Sequence, residues 1–467
     1  MSLDRMTPLD AAFLQAEDAE PTASLAISST AVFAGPAPSF AEFRDHLAGR
    51  LPRIPRYRQR VVPVPLDLGP PVWADDPDFE LDRHLVRVAL PAPGGDAELA
   101  ALVGRVMGTR LDRDRPLWRY WFVEGLADRR WALLSTVHHS MVDGVSGTDL
   151  YRVVLDREPT RASTAPDDWQ PAPWPSAPAL TVAALRDLAM LPVTGAQAAA
   201  GALRDPRRLV AAGRGMLALL ASLPPAPRTS LSGPLSRPRH VTWLRCRIAD
   251  VRTVRRAFGG TFNDVVLAAV TGGLRELLLM RGERVPPGGV RSLVPVSVRA
   301  PGQEDVRDNR VSLLLADLPV HVVDPVARFL AVRDELGRCK AVGEAEAGAA
   351  VVGIAGHEPF PLVAAVVRSG WRIPQRTIIT VTTNVPGPRH TLYGLGRELL
   401  EIIPYVPIAS TLRIGIAIMS YRDVVTVGLT GDDTVADLDL LASGIEGDLK
   451  RLVALAEADR QEPGGLR

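Results

Sequence analysis

Two adjacent histidines, His138 and His139, are followed by Ser140, Met141, Val142, Asp143 and Gly144. An imidazole held in one tautomer can take up a proton near neutral pH and give it back. Acyl transfer to a hydroxyl or an amine needs that capability. His139 is the candidate base: it takes the acceptor's proton as the oxygen attacks a thioester carbonyl, then returns the proton to the departing thiolate. No enzyme nucleophile is needed, and the chain has no GxSxG turn. The competing reading is a buried structural histidine pair that ends a strand; the Asp-Gly that follows at a strand–helix junction weighs against it. Asp143 can orient His139, or it can hold the loop through an ion pair to an arginine while Gly144 allows a tight turn. The second role is favoured, because Asp143 also stands where a helix cap would. Arg299, after the run Val294-Pro295-Val296-Ser297-Val298, is the arginine to pair with it.

Several elements must position this motif. Residues 118–126 and 130–139 read as two strands of a hairpin, and residues 145–155 as a helix. By the period-two rule Trp131, Leu133, Ser135, Val137 and His139 share one face, and His138 lies on the other. The two histidines then point in opposite directions. Upstream, 24–33 reads as a strand and 40–51 as a helix ended by Pro52 and Pro55. Residues 97–110 read as a helix with Leu99, Leu102, Val103 and Val106 on one face. Residues 158–178 look like a surface linker. Residues 180–223 are Ala/Leu-rich, interrupted by prolines, and read as two or three short helices. They carry Arg186, Arg204, Arg207, Arg208 and Arg214 against Asp187 and Asp205. A bridge packed on the protein is favoured there over a basic amphipathic surface for lipid. After a second flexible stretch, 224–238, come a strand at 240–248, a helix at 263–280, strands at 290–298 and 311–318 and a helix at 325–341. A strand at 377–383, a hairpin over 412–420 and 424–429, and a closing helix at 435–456 complete the chain. The class is α+β, with domains at 1–157 and 239–467 and a Pro/Ala-rich linker with bridging helices at 158–238.

Composition bounds the function. A chain of 467 residues exceeds one ordinary core, which predicts two domains. A net charge of +1 without any Lys/Arg-rich block gives no case for nucleic acid. Cys246 and Cys339 are too few and too far apart for a disulfide framework or a metal site, and read as reduced thiols in a cytoplasmic protein. The N-terminus lacks a signal pattern, and no apolar run is long and charge-free enough to span a bilayer. The longest uncharged stretch, 188–203, contains Pro192, Gly195, Gln197 and Gly201. Peripheral contact with a membrane or lipid droplet stays open.

Five motifs together resemble the bacterial wax ester synthase/acyl-CoA:diacylglycerol acyltransferase family, within the chloramphenicol acetyltransferase and condensation-domain superfamily. They are Thr7-Pro8-Leu9-Asp10 with Ala12-Phe13-Leu14; Pro116-Leu117-Trp118; the histidine motif; Asn263-Asp264; and Asn384-Val385-Pro386-Gly387-Pro388. The resemblance covers nearly the whole chain. It implies two chloramphenicol acetyltransferase-like domains, each a mixed sheet flanked by helices, with a tunnel between them and the histidine near its middle. It makes His139 similar to the family's base, His138 accessory, and Asp143 and Gly144 structural. Asn263 would donate to the tetrahedral oxyanion or to the substrate carbonyl; as a helix N-cap it would do neither. Asp264 would be a structural charge at a helix start. Pro116, Leu117 and Trp118 would shape the acyl pocket, or form an ordinary turn with a packed tryptophan. Asn384, Pro386 and Gly387 would belong to a rigid loop near the domain interface, or simply end a strand.

The implied reaction moves a long-chain acyl group from coenzyme A to diacylglycerol or to a long-chain alcohol, with no cofactor beyond the thioester co-substrate and no metal. Two rivals remain. A condensation-type enzyme would use carrier-protein thioesters, but no Asp-Phe-Gly-Trp latch is present near the C-terminal end. A non-catalytic lipid binder of the same fold would have no use for intact His139, Asp143 and Asn263.

Overall fold

A computed structural model describes residues 3–141, 154–160, 167–203, 227–297, 311–341, 360 and 377–461. The chain opens with β1 (Asp4–Arg5) and α1 (Pro8–Ala19). The Thr7 hydroxyl caps α1, accepting from the Asp10 N–H at 3.2 Å and donating to the Asp10 carboxylate at 2.8 Å, and a proline fills the first turn. Next come β2 (Ala26–Phe33) and α2 (Phe40–Ala48), the latter started by a reciprocal Ser39–Glu42 box. Two short strands, β3 (Gln59–Val62) and β4 (Val72–Asp75), join β1 in a small sheet of order β1-β4-β3. Then follow β5 (Leu85–Ala89), α3 (Asp96–Met107), β6 (Trp118–Glu124) and β7 (Trp131–His138).

The anticipated hairpin is present: β6 and β7 pair antiparallel, Trp118 opposite Val137. On its other edge β7 pairs with β2, Ala26 opposite His138. Strand β7 is therefore central, and nearly every residue of it is buried. It stops one residue short of the expected end: His139–Met141 form a 3-10 turn. The helix anticipated over 145–155 lies, except for its last two residues, outside the described residues.

The middle segment is helical where it is described. Helix α4 (Ala177–Leu203) is one continuous element of 27 residues that runs through Pro192; residues 204–223 of the segment expected to hold two or three helices lie outside the described residues. Pro178 lies in the first turn, where no helical N–H is lost, and Pro192 removes a single one, which long Ala/Leu-rich flanks tolerate. The stretch before it is exposed but strapped to the N-terminal half. Arg58 pairs with Asp167 and stacks on Trp169, and Arg60 stacks on Trp174 at 4.1 Å.

The second half comprises β8 (Arg239–Arg247), α5 (Ile248–Phe258), α6 (Phe262–Met280), β9 (Val290–Ser297), β10 (Val311–Leu318) and α7 (Pro325–Ala341). It continues through β11 (Thr380–Pro386), β12 (Tyr393–Gly394), β13 (Arg397–Tyr405), β14 (Ile414–Tyr421), β15 (Val424–Asp432) and α8 (Leu438–Gln461). Its sheet runs β10-β9-β11-β14-β15-β8. Strand β11 is parallel to both of its neighbours. Helices α5 to α8 cover this sheet in one apolar core.

The first sheet runs β12-β13-β2-β7-β6-β5. Two of its strands come from the far half of the chain: β13 pairs with β2, Tyr405 opposite Ser28. Thus a contiguous division at 157 and 239 does not separate the two sheets, because residues 393–405 cross back. With β7 on one side, β2 would otherwise expose an unpaired edge beside the site. The Tyr421 hydroxyl pins the crossing, accepting from the Leu392 N–H at 2.9 Å and donating to the Leu399 carbonyl at 3.1 Å.

Candidate active site

Main-chain bonds from two directions hold the histidine pair. The His138 N–H donates to the Leu117 carbonyl at 2.9 Å, and the His139 N–H donates to the Leu25 carbonyl at 3.1 Å. His138 is 1% exposed, whereas His139 is half-buried at the strand's end. Nδ1 of His138 accepts from the Ser140 hydroxyl at 2.7 Å and from the Ser140 N–H at 3.2 Å. Its proton therefore sits on Nε2, which faces Oε1 of Glu17 at 3.5 Å. Burial pushes the His138 imidazole below its ordinary range, against the pull of Glu17.

Glu17 is as buried as His138. Its Oε1 accepts from the Leu25 N–H at 2.7 Å and its Oε2 from Arg113 at 2.8 Å. Burial alone would raise the carboxyl. The His138 ring, the Leu25 N–H and Arg113 outweigh it and hold the group down at about 2. One helical turn earlier Phe13 stacks on the His139 ring, centroids 4.0 Å apart and planes 24° from parallel.

Asn263 and Asn384 also meet. Asn263 lies in the first turn of α6, but the cap is Thr261, so the N-cap reading of Asn263 does not hold. Asp264 closes the capping box: its carboxylate accepts from the Thr261 N–H at 2.6 Å, and its own N–H donates to the Thr261 hydroxyl at 3.2 Å. Asn263 Oδ1 accepts from Asn384 Nδ2 at 3.2 Å. With Oδ1 engaged, the group Asn263 can turn toward a substrate is its Nδ2 amide, a donor.

Asn384 stands near the end of β11, in register with Ile418, and Pro386 with Ser420. A Cβ on Gly387 would lie 2.0 Å from the Ser420 carbonyl oxygen, so only glycine allows β11 to leave the sheet this close to β14. Met419, opposite Val385, and Met141 belong to the same apolar cluster, which brings β14 and the histidine turn into one core.

The Leu117 and Trp118 side chains pack in the N-terminal core. Trp118 lies between Tyr57 and His84, and its indole N–H donates to the Tyr57 carbonyl at 2.8 Å. These contacts describe the packed-tryptophan alternative for Pro116-Leu117-Trp118; its link to the site is the Leu117 carbonyl beneath His138. Asp143, Gly144 and Arg299, with the ion pair anticipated between them, lie outside the described residues. Among the described residues no group of three or more His, Cys, Asp or Glu side chains could hold a metal ion. A cleft of about 940 Å³ opens between α3 and the start of β8, beside Gly104 and Trp243. None of the described candidate site residues lines it.

Comparison with known proteins decides the family. Residues 6–266 match the wax ester synthase/diacylglycerol acyltransferase catalytic domain, and residues 308–453 the C-terminal domain of the same family. The chain belongs to the wax ester synthase/diacylglycerol acyltransferase family. It is 41% identical over 456 residues to a probable diacylglycerol O-acyltransferase of Mycobacterium tuberculosis strain H37Rv, covering 97% of each chain. It also resembles the solved wax ester synthase/diacylglycerol acyltransferase of Marinobacter aquaeolei VT8, with a TM-score of 0.67 and 26% identity, covering 97% of this chain and all of that one. The first condensation domain of the calcium-dependent antibiotic synthetase shares the fold, with a TM-score of 0.62 and 16% identity over 98% and 97% of the two chains. The α+β fold of two chloramphenicol acetyltransferase-like domains and the acyltransferase class are thus those of the family.

Glu17, Ser140 and the contact made by Phe13 were absent from the expected site of this acyltransferase. A signal existed. Thr7-Pro8 with Asp10 is a helix-start signature, and a helix from residue 8 puts Phe13 and Glu17 on one face at i and i+4.

His84, between Phe79 and Trp118, supports the same core. Its Nδ1–H donates to the Trp118 carbonyl at 2.9 Å, and burial pushes its pKa from 6.5 down to about 4. The unfolded chain takes up that proton near pH 6.5 while the folded chain refuses it. This stabilisation is therefore complete above pH 6.5 and is lost as pH falls toward 4. The loss is on the order of 3 kcal/mol. A urea midpoint that drops between pH 7 and pH 5, and drops less in His84→Gln, is the expected result; equal drops in both would refute it.

Proposed function

We propose that the protein transfers a long-chain acyl group from coenzyme A to the hydroxyl of diacylglycerol or of a long-chain alcohol, with His139 as general base. The observation that carries this reading is a half-buried histidine at the end of a central strand, in a chain of this family, with its main chain and its ring each held from outside the motif. The acceptor O–H gives its proton to His139 as the oxygen attacks the thioester carbonyl carbon. The resulting oxyanion is stabilised by an amide donor such as Asn263 Nδ2. Collapse breaks the carbon–sulfur bond, and the His139 imidazolium protonates the departing thiolate. Asp143 and Gly144 shape the turn after the histidines, and Arg299 is the partner proposed for Asp143. Asp264, Asn384, Pro386 and Gly387 hold Asn263 and its loop in place; Pro116, Leu117 and Trp118 anchor the strand. No described helix is long and apolar enough to cross a membrane, and contact with a lipid surface would be peripheral.

The test mixes purified protein with palmitoyl-CoA and either dipalmitoylglycerol or hexadecanol, following thiol release and lipid product together. Triacylglycerol or wax ester formed in step with free thiol is the expected outcome, and the faster acceptor identifies the preference. Absence of product with both acceptors, alongside turnover of a carrier-protein thioester with an amine, would replace this reading with the condensation-type one.

A further inference from the structure

We propose that α1 belongs to the catalytic apparatus: Phe13 fixes the ring of His139, while Glu17 sets its charge against Nε2–H of His138 and, through Leu25, fixes the main chain at His139. The inference rests on the reading of His139 as base. Neither residue touches substrate in this account; both act through the histidines.

The Glu17 site is built for an anion. Among the described residues its two carboxylate oxygens face donors: the Leu25 N–H, an Arg113 N–H and, at longer range, the His138 Nε2–H. A glutamine of the same shape cannot serve. Whichever way its amide turns, an NH2 group faces another donor, the half-buried Arg113 in one orientation and the buried Leu25 N–H with His138 in the other. Leu25 then relays the position onward. Its N–H is held by Glu17 while its carbonyl holds the His139 N–H. The side chain that orients His138 therefore also places the residue next to it.

Phe13 acts on the ring. A stacked face at 4.0 Å restricts His139 to one plane and attracts the imidazolium that forms once the acceptor's proton has been taken. The anchor for both residues is the Thr7–Asp10 cap, which starts α1 at a fixed residue and so fixes which face carries positions 13 and 17.

The test compares Glu17→Gln, Glu17→Asp, Phe13→Leu, Phe13→Tyr and His139→Ala with the wild-type chain. Thermal unfolding, kcat and the KM for palmitoyl-CoA are measured for each. Glu17→Gln is expected to lower kcat by about ten- to a hundredfold with KM within about twofold, as misplacing a reacting group by less than an ångström does. Glu17→Asp keeps the charge and recovers part of the loss. Phe13→Leu lowers kcat about tenfold and Phe13→Tyr restores it. Wild-type kcat in folded Glu17→Gln and Phe13→Leu, with His139→Ala inactive, overturns this inference and leaves the base reading intact. Full activity in His139→Ala overturns both. If Glu17→Gln does not fold, the Phe13 pair decides: an unaltered kcat in Phe13→Leu, or an equal loss in Phe13→Leu and Phe13→Tyr, overturns the inference.

Discussion

His139→Ala is expected to lower the rate of coenzyme A release by roughly 10²- to 10⁴-fold, the range a positioned general base contributes. The protein should stay folded. The His139 side chain is half-buried, and its main-chain bond to the Leu25 carbonyl survives truncation. The KM for acyl-CoA should change little, because the base acts on the acceptor's proton and not on the coenzyme. His138→Ala should behave differently. That ring is fully buried between Ser140 and Glu17, so its removal leaves a void and strips Glu17 of one of its neighbours. A lower melting temperature should accompany any loss of rate. The pair of measurements separates two readings of the motif. If both alanine variants lose stability equally and His139→Ala keeps wild-type turnover, the histidines are structural and the base lies elsewhere.

How far the sequence led can be judged residue by residue. Periodicity located the β6–β7 hairpin, because alternating apolar residues and a polar turn are a local pattern. It placed α7 with its bounds and α6 within a residue, where long apolar runs follow a Pro or a Thr cap. It did not anticipate α5, whose buried residues are only Val251 and Val254 in a charged context. Nor did it anticipate β13, which reads Arg-Glu-Leu-Leu-Glu and carries Pro404. A strand lent, with its short neighbour β12, to a sheet whose remaining strands lie hundreds of residues earlier has no local signature. The site divides in the same way. The histidine motif is contiguous and legible. Its supports, Glu17, Leu25 and Leu117, lie on other elements and are joined to it only by the fold. Asn263 was visible as a residue type at a helix start, but its partner Asn384 is 121 positions away. Spacing carries chemistry when one element supplies it and is silent when two do.

Asp448→Ala is expected to destabilise the protein by about 3 to 5 kcal/mol, the cost of leaving one member of a buried ion pair alone. Asp448 on α8 is fully buried and accepts from Arg328 on α7, itself 2% exposed, and from Arg451 at 3.3 Å. Burial pushes the Asp448 carboxyl up and the Arg328 guanidinium down, each against the pull of its partner. Remove the carboxylate, and Arg328 keeps only the Val322 and Val323 carbonyls, at 2.8 and 3.0 Å. The helices have been brought together around this pair. A Cβ on Gly272 of α6 would lie 2.3 Å from an Asp448 oxygen, so α6 approaches α8 across a glycine. The loss should appear as a fall of roughly 3 to 5 °C in the melting temperature of a chain this long. A double variant, Arg328→Met with Asp448→Val, removes both charges at nearly the same combined volume and should recover at least half of the loss, since a paired apolar replacement leaves no buried ion without its partner. If Asp448→Ala melted like the wild type, the pair would contribute nothing and the α6–α7–α8 layer would be held by apolar packing alone. If the double variant were no better than the single one, the loss would lie in packing against Gly272 and not in the stranded guanidinium. Neither residue carries chemistry in the proposed reaction, so the expected fall is in stability, with kcat of the folded fraction unchanged. That separates it from His139→Ala, where the rate falls and the fold remains.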